Sequence, residues 1–145
     1  MRVMVFVKAT EASEAESTPT EGMEEMFAAM AAYNQQLLDA GILVSGDGLK
    51  PTRFAKRIHF DGADRTVIDG PFAAVNELVA GYWIWKVKDM DEAVAWARRC
   101  PNPMPGPSDL ELRPFYEPED FADVMTPEQI AQEEAMRVQL ETKGA

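Results

Sequence analysis

Residues 67–87, VIDGPFAAVNELVAGYWIWKV, join two unlike pieces. The first holds the tetrapeptide Asp69-Gly70-Pro71-Phe72, a turn in which glycine permits close backbone approach and proline biases the residue before it towards extended conformations. The second, Leu78 to Val87, is dense in aromatic and β-branched residues and predicts a strand. Alternation along that strand puts Tyr82 and Ile84 on one face and Val79, Trp83, Trp85 and Val87 on the other. One face can pack on helices. The other, left wet, forgoes about 1.5–3 kcal/mol per large apolar side chain unless a second sheet covers it. A homodimer with two sheets face to face meets that need, and the sequence-based expectation is that the tryptophans line the space between the sheets.

The elements on either side fill in the fold. Residues 2–8 alternate Val3, Val5, Val7 with Met4, Phe6, Lys8, apolar on both faces, as in a central strand. The polar segment that follows, TEASEAESTPT, reads as a loop. Thr18, Pro19 and Glu21 form a capping box with a favourable proline, so a helix of about 20 residues is expected. Its apolar positions, among them Met23, Met26, Phe27, Met30, Tyr33 and Leu37, recur at three- and four-residue spacing. Gly41 is placed to cap it in a left-handed conformation. A short strand ending at Gly46-Asp47-Gly48 comes next, then a hairpin turning at Asp61-Gly62. Asp89 with Glu92 opens a second helix whose buried stripe is Ala93, Trp96, Ala97 and Cys100. Four prolines in PNPMPGPS exclude regular structure there. DLELRPFY is the last strand, and Thr126-Pro127-Glu128-Gln129 opens a C-terminal helix whose apolar residues do not form one stripe. The order is split βαβ with an inserted hairpin: an α+β, ferredoxin-like βαββαβ antiparallel sheet with helices on one face, over residues 1–116, and an acidic helical C-terminal extension over residues 117–145.

Composition narrows the function classes. The 145 residues are 46% hydrophobic, enough for a core, and carry a net charge of −11. The charge is uneven: residues 11–25 hold six Glu and no Lys or Arg, and residues 116–145 hold eight acidic residues against Arg137 and Lys143. An acidic chain of this kind is not expected to bind nucleic acid, whose phosphates demand cations. A basic cluster of Lys50, Arg53, Lys56, Arg57 and Arg65 around the hairpin is either a solvated face or an attractor for a small anion. No apolar run reaches the roughly 20 residues that span a bilayer. The single cysteine, Cys100, permits no intrachain disulfide, and a reducing, cytoplasmic setting is expected. One histidine and one cysteine far apart give no metal site, and no cofactor motif is present.

Several residues carry possible chemistry. Asp69, held by Gly-Pro at a strand end, is either a turn residue accepting backbone N–H groups or, beside the tryptophans, a desolvated general acid or base. Arg113 on the last strand offers a fork that can hold a carboxylate in the cleft, or pairs with Asp109 or Glu111. His59 alternates with Ile58 and Phe60 on the hairpin and is read as exposed. Ser45 lacks the glycine-rich strand-to-helix context of a phosphate loop. Asp39 sits where the helix dipole disfavours negative charge, which hints at a basic partner. Cys100 reads as a small core hydrophobe.

Asp69-Gly70-Pro71-Phe72 and GYWIWKVKDMDEAVAWARRCP, with SGDGL before them and ELRP after, resemble the DGPF branch of the YciI-like (YCII-related) family across residues 1–116. That resemblance implies a ferredoxin-like dimeric α/β barrel. It also implies comparison with the family's His–Asp dyad. Asp39 falls at the acidic position, but Met30 stands where the histidine is expected, so half the dyad is missing. DGPF proteins are often encoded beside extracytoplasmic-function sigma factors, and the resemblance therefore implies a regulatory setting. Two functions follow from residues and resemblance together. One is a small cofactor-independent enzyme acting on an anionic metabolite, with Asp69 as acid or base and Trp83, Trp85, Arg113, Ser45 and His59 around the ligand. The other is a non-catalytic ligand-binding or regulatory module.

Overall fold

The computed structural model describes residues 1–15 and 23–144, so the helix-start signal at Thr18, Pro19 and Glu21 lies outside the described residues. The chain divides into two units, Met1–Pro114 and Phe115–Ala145.

In the first unit, strand β1 (Arg2–Lys8) leads through a one-turn helix α1 (Glu11–Ala15) to helix α2 (Glu24–Asp39). Strand β2 (Leu43–Gly48), the hairpin of β3 (Lys56–Asp61) and β4 (Asp64–Asp69), strand β5 (Val79–Lys86), helix α3 (Met90–Arg98) and strand β6 (Leu110–Pro114) follow. Four strands form one antiparallel sheet in the order β2-β5-β1-β6, while among the described residues β3 and β4 pair only with each other. That order, with α2 and α3 in the two crossovers, agrees with a ferredoxin-like arrangement carrying an inserted hairpin.

The short helix α1 corrects the reading of that segment as loop. The Thr10 backbone N–H donates to Ser13 Oγ (2.9 Å) and the Ser13 N–H donates to Thr10 Oγ1 (3.2 Å), a reciprocal cap at the first turn. Other local signals act where they were read. Gly41 ends α2 at φ +73°. The Asp89 carboxylate accepts from the Glu92 N–H at 2.9 Å.

The core lies between the sheet and the helices. Val3 and Val5 of β1, Trp83 and Trp85 of β5, Tyr33 and Leu37 of α2 and Ala93 of α3 are all buried there. Register explains the grouping, because Val3 pairs with Trp85 and Val5 with Trp83, and directly paired residues share a face. This corrects the expectation that the tryptophans face an inter-sheet space. Trp85 is 0% and Trp83 7% exposed, on the helix side. Trp83 donates its indole N–H to Asn34 Oδ1 of α2 at 2.9 Å. A Cβ on Gly46 would stand 2.5 Å from the Trp83 ring, so the glycine of β2 makes room for it. The rest of the α2 stripe is less buried than its spacing suggests; Phe27 and Leu38 are exposed.

The second unit contains a short 3₁₀ turn (Pro118–Phe121) and helix α4 (Pro127–Lys143). Thr126 and Gln129 close the expected capping box in both directions. No residue of α4 is buried.

Candidate functional site

The Asp-Gly-Pro-Phe turn is anchored by backbone contact. After β2 the chain makes a 3₁₀ turn at Thr52–Phe54, and the returning segment presses onto it. The Gly70 N–H donates to the Ala55 carbonyl at 2.9 Å. A Cβ on Gly70 would fall 1.7 Å from the Thr52 carbonyl oxygen, so no other residue fits without moving backbone. The Gly70-Pro71 bond is cis. Thr52 ties three segments together: its hydroxyl accepts from the Phe72 N–H (3.1 Å) and donates to Glu14 Oε2 (2.5 Å), while its own N–H donates to Glu14 Oε1 (3.0 Å). Arg53 adds a bond to the Glu14 carbonyl at 2.7 Å.

This arrangement changes the reading of Asp69. Its side chain is 73% exposed and pairs with Lys56 Nζ at 2.5 Å. The desolvation expected from neighbouring tryptophans is not there, because the tryptophans are on the helix side of a different sheet. Beside it, the Arg57 guanidinium lies 3.8 Å from the centre of the Phe72 ring, and Arg53 and Lys50 lie over Phe54 at 4.8 and 5.4 Å. These are cation–π contacts, so the basic cluster is organised by aromatic rings more than by carboxylates.

The sheet face turned away from the helices is the second region. Register brings Met4 opposite Ile84 and Arg113, and Phe6 opposite Tyr82 and Glu111. On the other edge an irregularity in β2 sets Ser45 opposite Ile84 and Asp47 opposite Tyr82. Met4, Phe6, Tyr82 and Ile84 form a half-buried apolar centre with polar groups along both edges. Arg113 is exposed, hydrogen-bonds Glu111, and its guanidinium lies 5.3 Å from the centre of the Phe6 ring. Ser45 and Arg113 share this face but sit on opposite edge strands, about 14 Å apart at three strand spacings.

The remaining candidates are not brought to either region. His59 is exposed on β3, opposite Thr66. Asp39, exposed at the end of α2, accepts from Gln35 Nε2 at 2.8 Å; its partner is an amide one turn back, not a cation. Cys100 is partly buried against the core, its Sγ 3.2 Å from the Pro101 carbonyl, and burial pushes the thiol up to about 11. Tyr33 is likewise pushed well above the usual phenol range, first by burial and then by Cys100, with Arg99 opposing. Its hydroxyl donates to the Trp96 carbonyl at 2.5 Å. Both groups are held neutral, which suits packing and not nucleophilic work. Among the described residues no group of His, Cys, Asp and Glu is placed to hold a metal ion, and no helix is long and apolar enough to cross a membrane.

The second unit has a groove of its own, about 230 Å³, lined by Phe121, Met125, Ile130, Glu133, Glu134 and Arg137 among others. Neither this groove nor the Glu14–Thr52 clasp was read from sequence. Glu14 and Thr52 are 38 residues apart, and no spacing rule connects them. The groove leaves only a faint trace, the apolar residues of α4 that fail to line one stripe.

Comparison with known proteins fits this picture. A family model for the YCII-related domain matches residues 1–116. An uncharacterized protein of Rhizobium meliloti (strain 1021) is 30% identical over 97 residues, covering 66% of this chain and 78% of that protein. The chain belongs to the YCII-related domain family.

Proposed function

We propose that this YCII-related protein works as a homodimer joined through the open sheet faces and binds a small anionic metabolite in the cleft between them. The observation that carries this reading is the half-buried apolar centre of Met4, Phe6, Tyr82 and Ile84, with Arg113 set against Phe6 at its edge. A sheet with helices on one face leaves the other to be covered. A second copy presenting the same patch covers it by a two-fold contact.

Arg113 supplies the anion's counter-charge. Its guanidinium has five donors, so its bond to Glu111 leaves others for a carboxylate or phosphate. Closing the second sheet over it lowers the local dielectric and strengthens that attraction. The Ser45 hydroxyl, on the opposite edge, is a second polar contact on the same face. Asp69 has a different part here: paired with Lys56 in solvent, it steadies the hairpin base and moves no proton.

A thermal-shift screen of anionic metabolites, run with Arg113→Ala and Asp69→Asn, tests the reading. A ligand at about 100 times its Kd stabilises by about 2.7 kcal/mol, a rise of several degrees for a domain of this size. The shift is expected to disappear in Arg113→Ala and persist in Asp69→Asn; the reverse pattern moves the site to the turn and overturns the proposal. Ile84→Asp is expected to weaken the association of two chains at least about tenfold in sedimentation, and an unchanged association overturns joining through the open faces.

A further inference from the structure

We propose that the apolar face of the β3–β4 hairpin docks into the acidic groove of the C-terminal unit of a second copy of this chain. This contact uses neither Arg113 nor the open sheet face, so it stands or falls independently of the ligand cleft.

The hairpin is the first observation. Among the described residues its strands pair only with each other, and every residue of the two is exposed. A two-stranded ribbon alone in water is marginal. Register nevertheless collects its apolar residues: Ile58 pairs with Val67 and Phe60 with Arg65, so Ile58, Phe60 and Val67 share one face. Phe60 is 66% exposed. Arg65 lies over the Phe60 ring at 4.6 Å and donates to the Gly62 and Asp64 carbonyls. Among the described residues it has no carboxylate partner.

The groove is the second observation. At about 230 Å³ it falls below the roughly 300–1,000 Å³ typical of small-molecule pockets, and its size suits a protruding side chain. Phe121, Met125 and Ile130 give its lining apolar side chains, and Glu133 and Glu134 give it carboxylates. Neither glutamate has a basic partner among the described residues. Arg137 is already committed towards Glu117, at 3.8 Å.

Charge selects the occupant. Residues 116–145 carry eight acidic residues against two basic ones, net −6, whereas residues 50–69 carry five basic residues against three aspartates, net +2. The complementary pieces are an aromatic with an arginine stacked on it and an apolar hollow lined by two carboxylates. Both are present in every copy of the chain. Two copies exchanging hairpins about a two-fold axis make the contact twice and close the assembly. Phe60 is the anchor, and Arg65 faces Glu133 and Glu134 at the rim.

The test uses the full chain with Cys100→Ser to remove the native thiol. Ile58→Cys, which shares the Phe60 face and keeps the anchor, and Ile130→Cys are purified separately, mixed and oxidised, with far-UV circular dichroism to confirm folding. The expected result is a covalent dimer in the mixture, about tenfold or more above the yield of either variant alone. Adding Arg65→Glu to the first variant is expected to cut that yield about tenfold, since facing like charges costs several kcal/mol. Adding Glu133→Arg and Glu134→Arg to the second is expected to restore it. No dimer in the mixture overturns the proposal. So does internal closure of a single chain carrying both cysteines without any dimer, because that places the hairpin in its own groove. A yield unmoved by the charge reversals also overturns it.

Discussion

The four-stranded sheet and the β3–β4 hairpin are written in the same alphabet and end in opposite surroundings. YWIW in β5 and RIHF in β3 both place large apolar residues at alternate positions, yet Trp85 is fully buried and Phe60 is two-thirds exposed. What separates them is what lies above. The β5 tryptophans pack in one core with Tyr33, Leu37 and Ala93 from two helices, whereas every residue of the two hairpin strands is exposed. Strand composition specifies a ribbon; burial, and with it stability, comes from the layer that covers it.

The largest effects should therefore fall on the covered side. Trp85→Ala is expected to cost about 3–5 kcal/mol, read by denaturant melts. Phe60→Ala is expected to stay within about 0.5 kcal/mol in dilute solution where the chains are separate. A cost above about 2 kcal/mol at Phe60 under those conditions would erase the contrast. Next in size comes the hairpin's base. Gly70→Ala drives a Cβ towards the Thr52 carbonyl, and overpacking of this kind costs about 1–3 kcal/mol. Amide hydrogen exchange should show where: faster in residues 56–69, unchanged in β5. Uniform acceleration would mean that clasp and core open as one unit.

The same contrast accounts for what was legible in the sequence. Signals that act within three or four residues read through: Asp89 and Thr126 as caps, Gly41 ending α2, Gly62 in the hairpin turn. Alternation also showed that Trp83 and Trp85 share a face. It carried no information on which face the helices take, because that is decided by Tyr33, Leu37 and Ala93 arriving from elsewhere in the chain, with Gly46 leaving room for the Trp83 ring. Of the two readings of Asp69, the desolvated one fails for the same reason. Placing the tryptophans on the wrong side put a desolvating wall beside its carboxylate, which instead is exposed and paired with Lys56. The Glu14–Thr52 clasp was out of reach, since a carboxylate in an acidic stretch gives no sign of which distant hydroxyl it will meet.

A third prediction probes the covered side through pH. Cys100 and Tyr33 hold their protons more tightly folded than unfolded, since burial raises both. The folded state then binds more protons at alkaline pH, and stability falls as pH rises. For Cys100 the contribution is complete below about 9, its unfolded value, and is lost as pH climbs to about 11. Tyr33 extends the loss further upward. Cys100→Ala is expected to flatten the curve between pH 9 and 11, and Tyr33→Phe above pH 10. An unchanged slope in Cys100→Ala would show that the thiol is solvated in the folded protein.

The smallest effect should come from the Lys56–Asp69 pair. Its distance of 2.5 Å invites a large number, but the two side chains are 66% and 73% exposed. Water screens such a pair, and holding two mobile side chains together costs entropy, so exposed pairs contribute about 0–1 kcal/mol. Asp69→Asn and Lys56→Met are each expected to change stability by less than about 1 kcal/mol, with the difference shrinking further at high salt. Glu14→Ala is the control. It also removes a carboxylate from the hairpin's base, but one that accepts two bonds from Thr52 in a part-buried setting, where losing a charged acceptor costs about 1.5–3 kcal/mol. If Asp69→Asn matched Glu14→Ala, the acidic residue of the turn would itself be part of the clasp. If it left stability untouched, the turn's structural weight would rest on Gly70 and the Phe72 N–H, leaving the carboxylate free to vary without loosening the hairpin.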